Sequence, residues 1–254
     1  MNLWNVAQFT FRDLIRSKIM WNIPVLGLLV AIITFVSQEF TYGAPERVAT
    51  NMGLAVLTLS VYGIAFFAGV TLIRSEAESR TIYLIISRPV SRATFFLGKV
   101  SGVCLFLTLN IIILASISTL IMWLNGGWLN SQIIVTMLFI LLEAVMLLVA
   151  IVVLSLVSNM ALTLMFGFIL LVAGHAVAVT QNILWLERYP IVKTALGFYH
   201  WVFPAFFKLN FKEYAVYSNN FPWQNVGTAA GYWFFYTVAL LLLGCGIMND
   251  KDFD

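Results

Sequence analysis

The sequence predicts an all-α membrane protein with six transmembrane helices, and three observations carry that prediction. Of its 254 residues, 61% are hydrophobic and only 10% charged, against about 25% charged in a soluble domain. Several apolar runs approach or exceed the roughly 20 residues that a helix needs to cross a bilayer. Those runs are long and uniform, whereas a membrane β-barrel shows segments of about ten residues with alternating polarity.

The stretch 1–18 is too polar to cross. Trp4, Ala7, Phe11, Leu14 and Ile15 share one helical face, with Asn5, Gln8, Arg12 and Arg16 opposite. Aromatics on one face and basic residues on the other suit an amphipathic helix in the membrane interface, anchored by Trp4, Phe11, Arg12 and Arg16. The plainer alternative is a lead-in whose basic residues only set topology. From residue 19 to 254 the chain reads as a single six-span domain, with spans at about 19–37, 52–73, 100–124, 133–157, 160–179 and 226–247. No cleaved leader is expected, because the first run is too long for a signal segment and no small-residue cleavage site follows it. Only Ser158 and Asn159 part the fourth run from the fifth. Together they far exceed one bilayer thickness, so a tight helical hairpin is expected.

Orientation follows from Lys and Arg in short loops. Arg74, Arg80, Arg88, Arg92 and Lys99 fall between the second and third spans, Arg12, Arg16 and Lys18 before the first, and Lys251 after the last. With an even number of spans these share one side, which places both termini in the cytoplasm and the protein in the cytoplasmic (inner) membrane. Arg47, Arg188, Lys193, Lys208 and Lys212 fall opposite. The segment 181–225, expected outside, holds 13 aromatic residues and three of the six prolines, Pro190, Pro204 and Pro222. Its apolar stretches are too short to cross. Trp and Tyr favour the headgroup level, so short interfacial or re-entrant helices before the sixth span are one reading, and an external cap without a chemical role is the other.

The loop 74–99 concentrates charge between two apolar runs. Ser75 followed by Glu78 fits a capping box, and a helix from about Glu76 to Ile86 follows. Pro89 ends it and pushes Arg88 out of helical geometry. Ile82, Ile85 and Ile86 share one face, while Glu76 and Arg80 pair at i,i+4 on another. Basic residues here are needed for topology in any case. A capped amphipathic helix with two acidic residues is more than topology needs, and would offer a short rigid face to a cytoplasmic partner.

"SEAESRTIYLIISRPVSRATFFLGK" resembles the first cytoplasmic loop of permease subunits of type-2 ABC exporters. The elements in order are Glu76 or Glu78, Arg80-Thr81, the apolar Tyr83–Ile86, Pro89-Val90-Ser91-Arg92 and Gly98-Lys99. The resemblance implies a permease working as a homodimer or with a paralogue, in contact with membrane lipids and cytoplasmic ATPase subunits. The segment 76–87 would be the coupling helix, with Glu76, Glu78, Arg80, Thr81, Tyr83, Ile86, Arg88, Pro89 and Arg92 meeting the ATPase. No phosphate cradle of the form G-x-x-x-x-G-K-S/T occurs in this chain. ATP and Mg would then sit on the partner, leaving no cofactor on this chain and no enzymatic role for it.

Two ionisable residues fall inside the spans. Glu143 lies in the middle of the fourth, and His175 well inside the fifth. A carboxylate at that depth costs roughly 3 kcal/mol or more and faces the bundle interior. It is a candidate intramembrane polar site with His175, on a cargo or proton route, or a packing carboxylic acid bonded to a neighbouring helix through Asn110 or a Ser or Thr. His175, beside Gly174, reads as an interhelical contact rather than a metal ligand. No metal site is expected, and Cys104 and Cys245, both inside apolar runs, read as packing residues. Nothing points to nucleic acid. Two other classes compete with an ABC permease. An intramembrane enzyme would show a motif such as H-E-x-x-H or G-x-S-x-G, and neither occurs. An ion-coupled carrier or scaffold subunit working without ATP is the second, and carriers of that kind usually show inverted repeats.

Overall fold

The computed structural model describes residues 3–40, 45–72, 91–124, 128–181, 190–217 and 220–250. Among these, every regular element is helical: α1 (Leu3–Arg16), a 3-10 turn (Lys18–Trp21), α2 (Asn22–Phe40), α3 (Pro45–Thr71), α4 (Arg92–Leu124), α5 (Ser131–Val157), α6 (Met160–Gln181), α7 (Pro190–Val202), a second 3-10 turn (Phe206–Leu209), α8 (Lys212–Tyr217) and α9 (Trp223–Asp250). Five of them, α3, α4, α5, α6 and α9, are long and apolar enough to cross a membrane. The first expected span falls on α2, whose apolar stretch is the shorter Pro24–Ile33. The charged helix expected at 76–86, with Glu76, Glu78, Arg80, Thr81, Tyr83, Ile86, Arg88 and Pro89, lies outside the described residues.

The helices outrun the apolar windows that announce them. Pro45 opens α3 seven residues before the expected edge at Met52; proline suits this first position, where its missing N–H would have no partner anyway. α4 starts at Arg92 rather than Val100 and runs 33 residues without a break, about 50 Å at ~1.5 Å per residue. Ser91 starts it as an N-cap, its Oγ accepting the Thr94 N–H at 3.2 Å. Between α5 and α6 the turn falls on Ser158 and Asn159, as their spacing predicts. There Asn159 Oδ1 accepts the Leu162 N–H at 2.9 Å, and Ser158 Oγ lies 2.9 Å from Thr163 Oγ1.

α5 is the central helix. Between Phe139 and Val152 none of its residues is exposed, as expected of a helix that is apolar on every side. α3 and α9 pack against it and against α4, while α2 lies on α3 and α4. α6 and α9 form the rim, turning Phe166, Phe168 and Ile169, and Phe234, Phe235 and Leu242, outward.

α1 packs on the first turns of α4. A Cβ added to Gly98 would sit 2.7 Å from Val6 Cβ, and one added to Gly102 would sit 2.6 Å from Thr10 Cβ and 2.7 Å from the Ala7 carbonyl. Only glycine at both positions lets the two backbones approach this closely. The notch also sets the rotation of α1. Its buried stripe is Val6, Ala7 and Thr10, with Phe11, Leu14 and Ile15 half-buried beside it. Trp4, on the apolar face read from the sequence, lies outside this stripe and is 56% exposed, because the notch receives the Val6–Thr10 edge. Arg12 and Arg16 are exposed, as the sequence pattern requires.

The segment from α7 to α8 is tied down at the opposite end of the bundle. Phe206, Leu209 and Phe211 are buried, and the second 3-10 turn packs on α5, α6 and α9.

Candidate functional site

Three spanning helices meet around one carboxylate. Glu143, halfway along α5, is 1% exposed. Its Oε1 accepts a hydrogen bond from the Tyr62 hydroxyl of α3 and lies 3.1 Å from His175 Nε2 of α6. The other ring nitrogen, Nδ1, is 3.0 Å from the Leu171 carbonyl of its own helix. A carbonyl can only accept, so Nδ1 carries a hydrogen. Nε2 then faces a carboxyl oxygen, and a proton between the two atoms, held by the imidazole or by the carboxyl, satisfies that contact. Without it, two lone pairs would face each other. Tyr62 does not remove the difficulty, since its hydrogen goes to the same oxygen.

The surroundings fix these groups. Trp233 of α9 donates its indole N–H to the Leu142 carbonyl at 2.6 Å, next to Glu143. The His175 ring meets Tyr62 edge-on at 6.3 Å between centroids and stacks on Phe206 at 5.5 Å. A Cβ on Gly174 would lie 2.4 Å from Phe206 Cδ2 and 2.6 Å from the Pro204 carbonyl, so glycine there is what allows the 203–211 segment to rest on α6. That segment is held elsewhere too. Tyr232 Oη accepts the Ala205 N–H at 2.8 Å, and the Phe139 and Phe211 rings meet edge-to-face at 4.7 Å. Lys212, opening α8, is close enough for its charge to act on both Glu143 and His175. Burial pushes its ammonium below the usual lysine range, with the Glu143 carboxylate pulling the other way.

Glu143 and His175, singled out by their depth in the sequence, are thus brought together. Asn110 is not their partner, which corrects one of the expectations above. Its Oδ1 accepts the Ser60 hydroxyl at 2.9 Å, on the side of α3 turned toward α4. The partner that sequence reasoning missed is Tyr62, 81 residues away along the chain; a tyrosine in an apolar run gives no signal of which helix it faces. Among the described residues no group of three or more His, Cys, Asp or Glu could hold a metal. Cys104 and Cys245 are free thiols.

Of the residues assigned to the ATPase contact, Arg92 is the described one. Its Nη1 donates to the Asn249 carbonyl at 3.0 Å, joining the first turn of α4 to the last turn of α9, where a cation is favourable.

No curated protein matches the chain. Residues 11–177 match a family described as ABC-2 family transporter protein. That stretch runs from within α1 to near the end of α6. It takes in the glycine notch, the charged loop and all three members of the Tyr62, Glu143 and His175 cluster. With the greater part of a multi-pass helical bundle inside the match, the chain belongs to the ABC-2 transporter family, as the membrane-embedded permease of an ABC transporter.

Proposed function

We propose that this permease is the membrane half of an ATP-driven exporter, energised by separate ATPase subunits that dock on the segment 76–87. The observation that carries the reading is the family match across 11–177, which includes the whole charged loop. The architecture on the far side of that loop suits such a role. The loop leads into the Ser91 cap of a continuous 33-residue helix. Arg92 joins that helix to the end of α9, and the glycine notch joins it to α1. A push on the loop would move α1, α4 and α9 together, a rigid-body shift of packed helices. In this reading α2 is the first of six crossings and both termini are cytoplasmic, in the cytoplasmic membrane. A second permease copy, identical or paralogous, completes the path, and ATP and Mg are bound by the ATPase chains.

The Glu143–His175 pair favours a second reading, an ion-coupled carrier working without ATP, because ionisable residues at membrane depth mark proton routes in carriers. One experiment separates the two. Full-length tagged chain purified from its native membrane is expected to bring down an ATPase bearing G-x-x-x-x-G-K-S/T. The double substitution Glu76→Ala with Arg80→Ala is expected to release it, with ATP hydrolysis falling in step. Transport by the isolated chain, with no such companion and no ATP, overturns the first reading in favour of the second.

A further inference from the structure

We propose that Tyr62, Glu143 and His175 form a one-proton latch that keeps the 203–211 segment seated on α6, and that loss of the shared proton releases it. The inference uses the geometry of the permease alone and holds whether or not an ATPase drives it.

The mechanical link is Phe206. Its ring fills the space left by Gly174 and stacks on the neighbouring His175 at 5.5 Å. The imidazole therefore cannot turn without disturbing the residue that plugs the segment into α6. Two contacts hold the imidazole still, Nδ1 to Leu171 and Nε2 to Glu143. The first lies within one helix and persists in either protonation state. The second exists only while one proton is shared. When that proton leaves, the Nε2 lone pair faces the carboxylate across the same 3.1 Å, and the ring is driven out of its stacking position. The 203–211 segment keeps its other attachments on α9, where the Ala205 N–H bonds Tyr232 and the Lys208 ammonium lies 4.7 Å over the Tyr232 ring. Release is thus a swing away from α6 about α9 rather than detachment.

The charges that act on the latch come from each side. Tyr62 reaches it from α3, Glu143 from α5 and His175 from α6, and Lys212 acts on it from α8. Access is uneven. Glu143 is sealed, while the His175 side chain is 34% exposed, so the histidine is the member of the pair nearer the protein surface.

The test uses the full-length chain in nanodiscs, with Cys104 and Cys245 replaced by Ala. Ala205→Cys places a thiol in the seated segment, at a residue 6% exposed. Ile191→Cys, made separately at a residue 85% exposed on α7, calibrates the reagent at each pH. The ratio of their maleimide labelling rates is followed between about pH 5 and about pH 9, which spans the range in which an imidazole ordinarily changes charge. The ratio is expected to rise about tenfold across it, equivalent to ~1.4 kcal/mol of seating. In Glu143→Gln the amide nitrogen has hydrogens for both Tyr62 and His175 and no proton to lose, so the ratio is expected to stay low and flat. A flat ratio without that substitution, or a Glu143→Gln ratio that climbs like its parent, overturns the latch. Neither result bears on the ATPase reading, since no ATPase chain is present.

Discussion

At one end of the bundle α1 lies along the first turns of α4; at the other, the 203–211 segment lies on α5, α6 and α9. The first contact is one of shape. Val6 and Thr10 drop into the space above Gly98 and Gly102, and the Thr10 hydroxyl turns back to the Val6 carbonyl of its own helix at 3.0 Å. The second also uses a glycine, Gly174, but surrounds it with stacked rings, a tyrosine-to-backbone hydrogen bond and a carboxyl–imidazole pair. A contact made by shape has no titratable part and responds only to a change of volume. A contact that includes an ionisable pair can be strengthened or cancelled by one proton. The first kind lies at the start of α4, directly after the charged stretch of the sequence.

That contrast can be broken from either end. The largest expected effect is at the ionisable end. Glu143→Ala leaves the Tyr62 hydroxyl and His175 Nε2 without their hydrogen-bond partner in a buried site, and should cost about 3 kcal/mol in thermal unfolding of the detergent-solubilised protein. Glu143→Gln, which keeps both hydrogen bonds, should cost under about 1 kcal/mol in the same assay. Equal losses in the two variants would mean that shape, not hydrogen bonding, rules this end as well. Next in size is Gly102→Leu, which drives a side chain into Thr10 and the Ala7 carbonyl. Overpacking of this kind costs about 2 kcal/mol, and α1 should become open to limited proteolysis while wild-type α1 resists it. The smallest expected change is Ser91→Ala, which removes the cap of α4 and should cost under about 1 kcal/mol. It sharpens the comparison by showing how little a single exposed hydrogen bond matters where shape does the holding.

How much of this is legible in the sequence differs from element to element. The α5–α6 turn is, because only Ser158 and Asn159 separate two runs that together cannot fit one bilayer. The starts of α3 and α4 are not, because a hydropathy window ends where polarity begins, while the helices reach back beyond it to Pro45 and Arg92. Glu143 and His175 are visible by depth alone, since ionisable residues in a span stand out against an apolar background. Which side chains meet them is not visible. Ser60 and Tyr62 sit two residues apart on α3 yet serve different neighbours, Asn110 and Glu143. That choice depends on where α3 sits between α4 and α5, a tertiary property with no local signature. The rotation of α1 is hidden for the same reason. The periodicity of α1 defines an apolar arc, and the Gly98–Gly102 notch on a distant helix chooses which part of it turns inward.

The burial of α5 on every side between Phe139 and Val152 leaves outward-facing helices such as α6 and α9, with their exposed apolar side chains, to meet lipid. Hydrophobic mismatch acts where a helix touches acyl chains. Thicker or thinner bilayers should therefore tilt the two rim helices while the middle one keeps its register. Because His175 rides on a rim helix and Glu143 on the middle one, acyl-chain length becomes a lever on the distance between them.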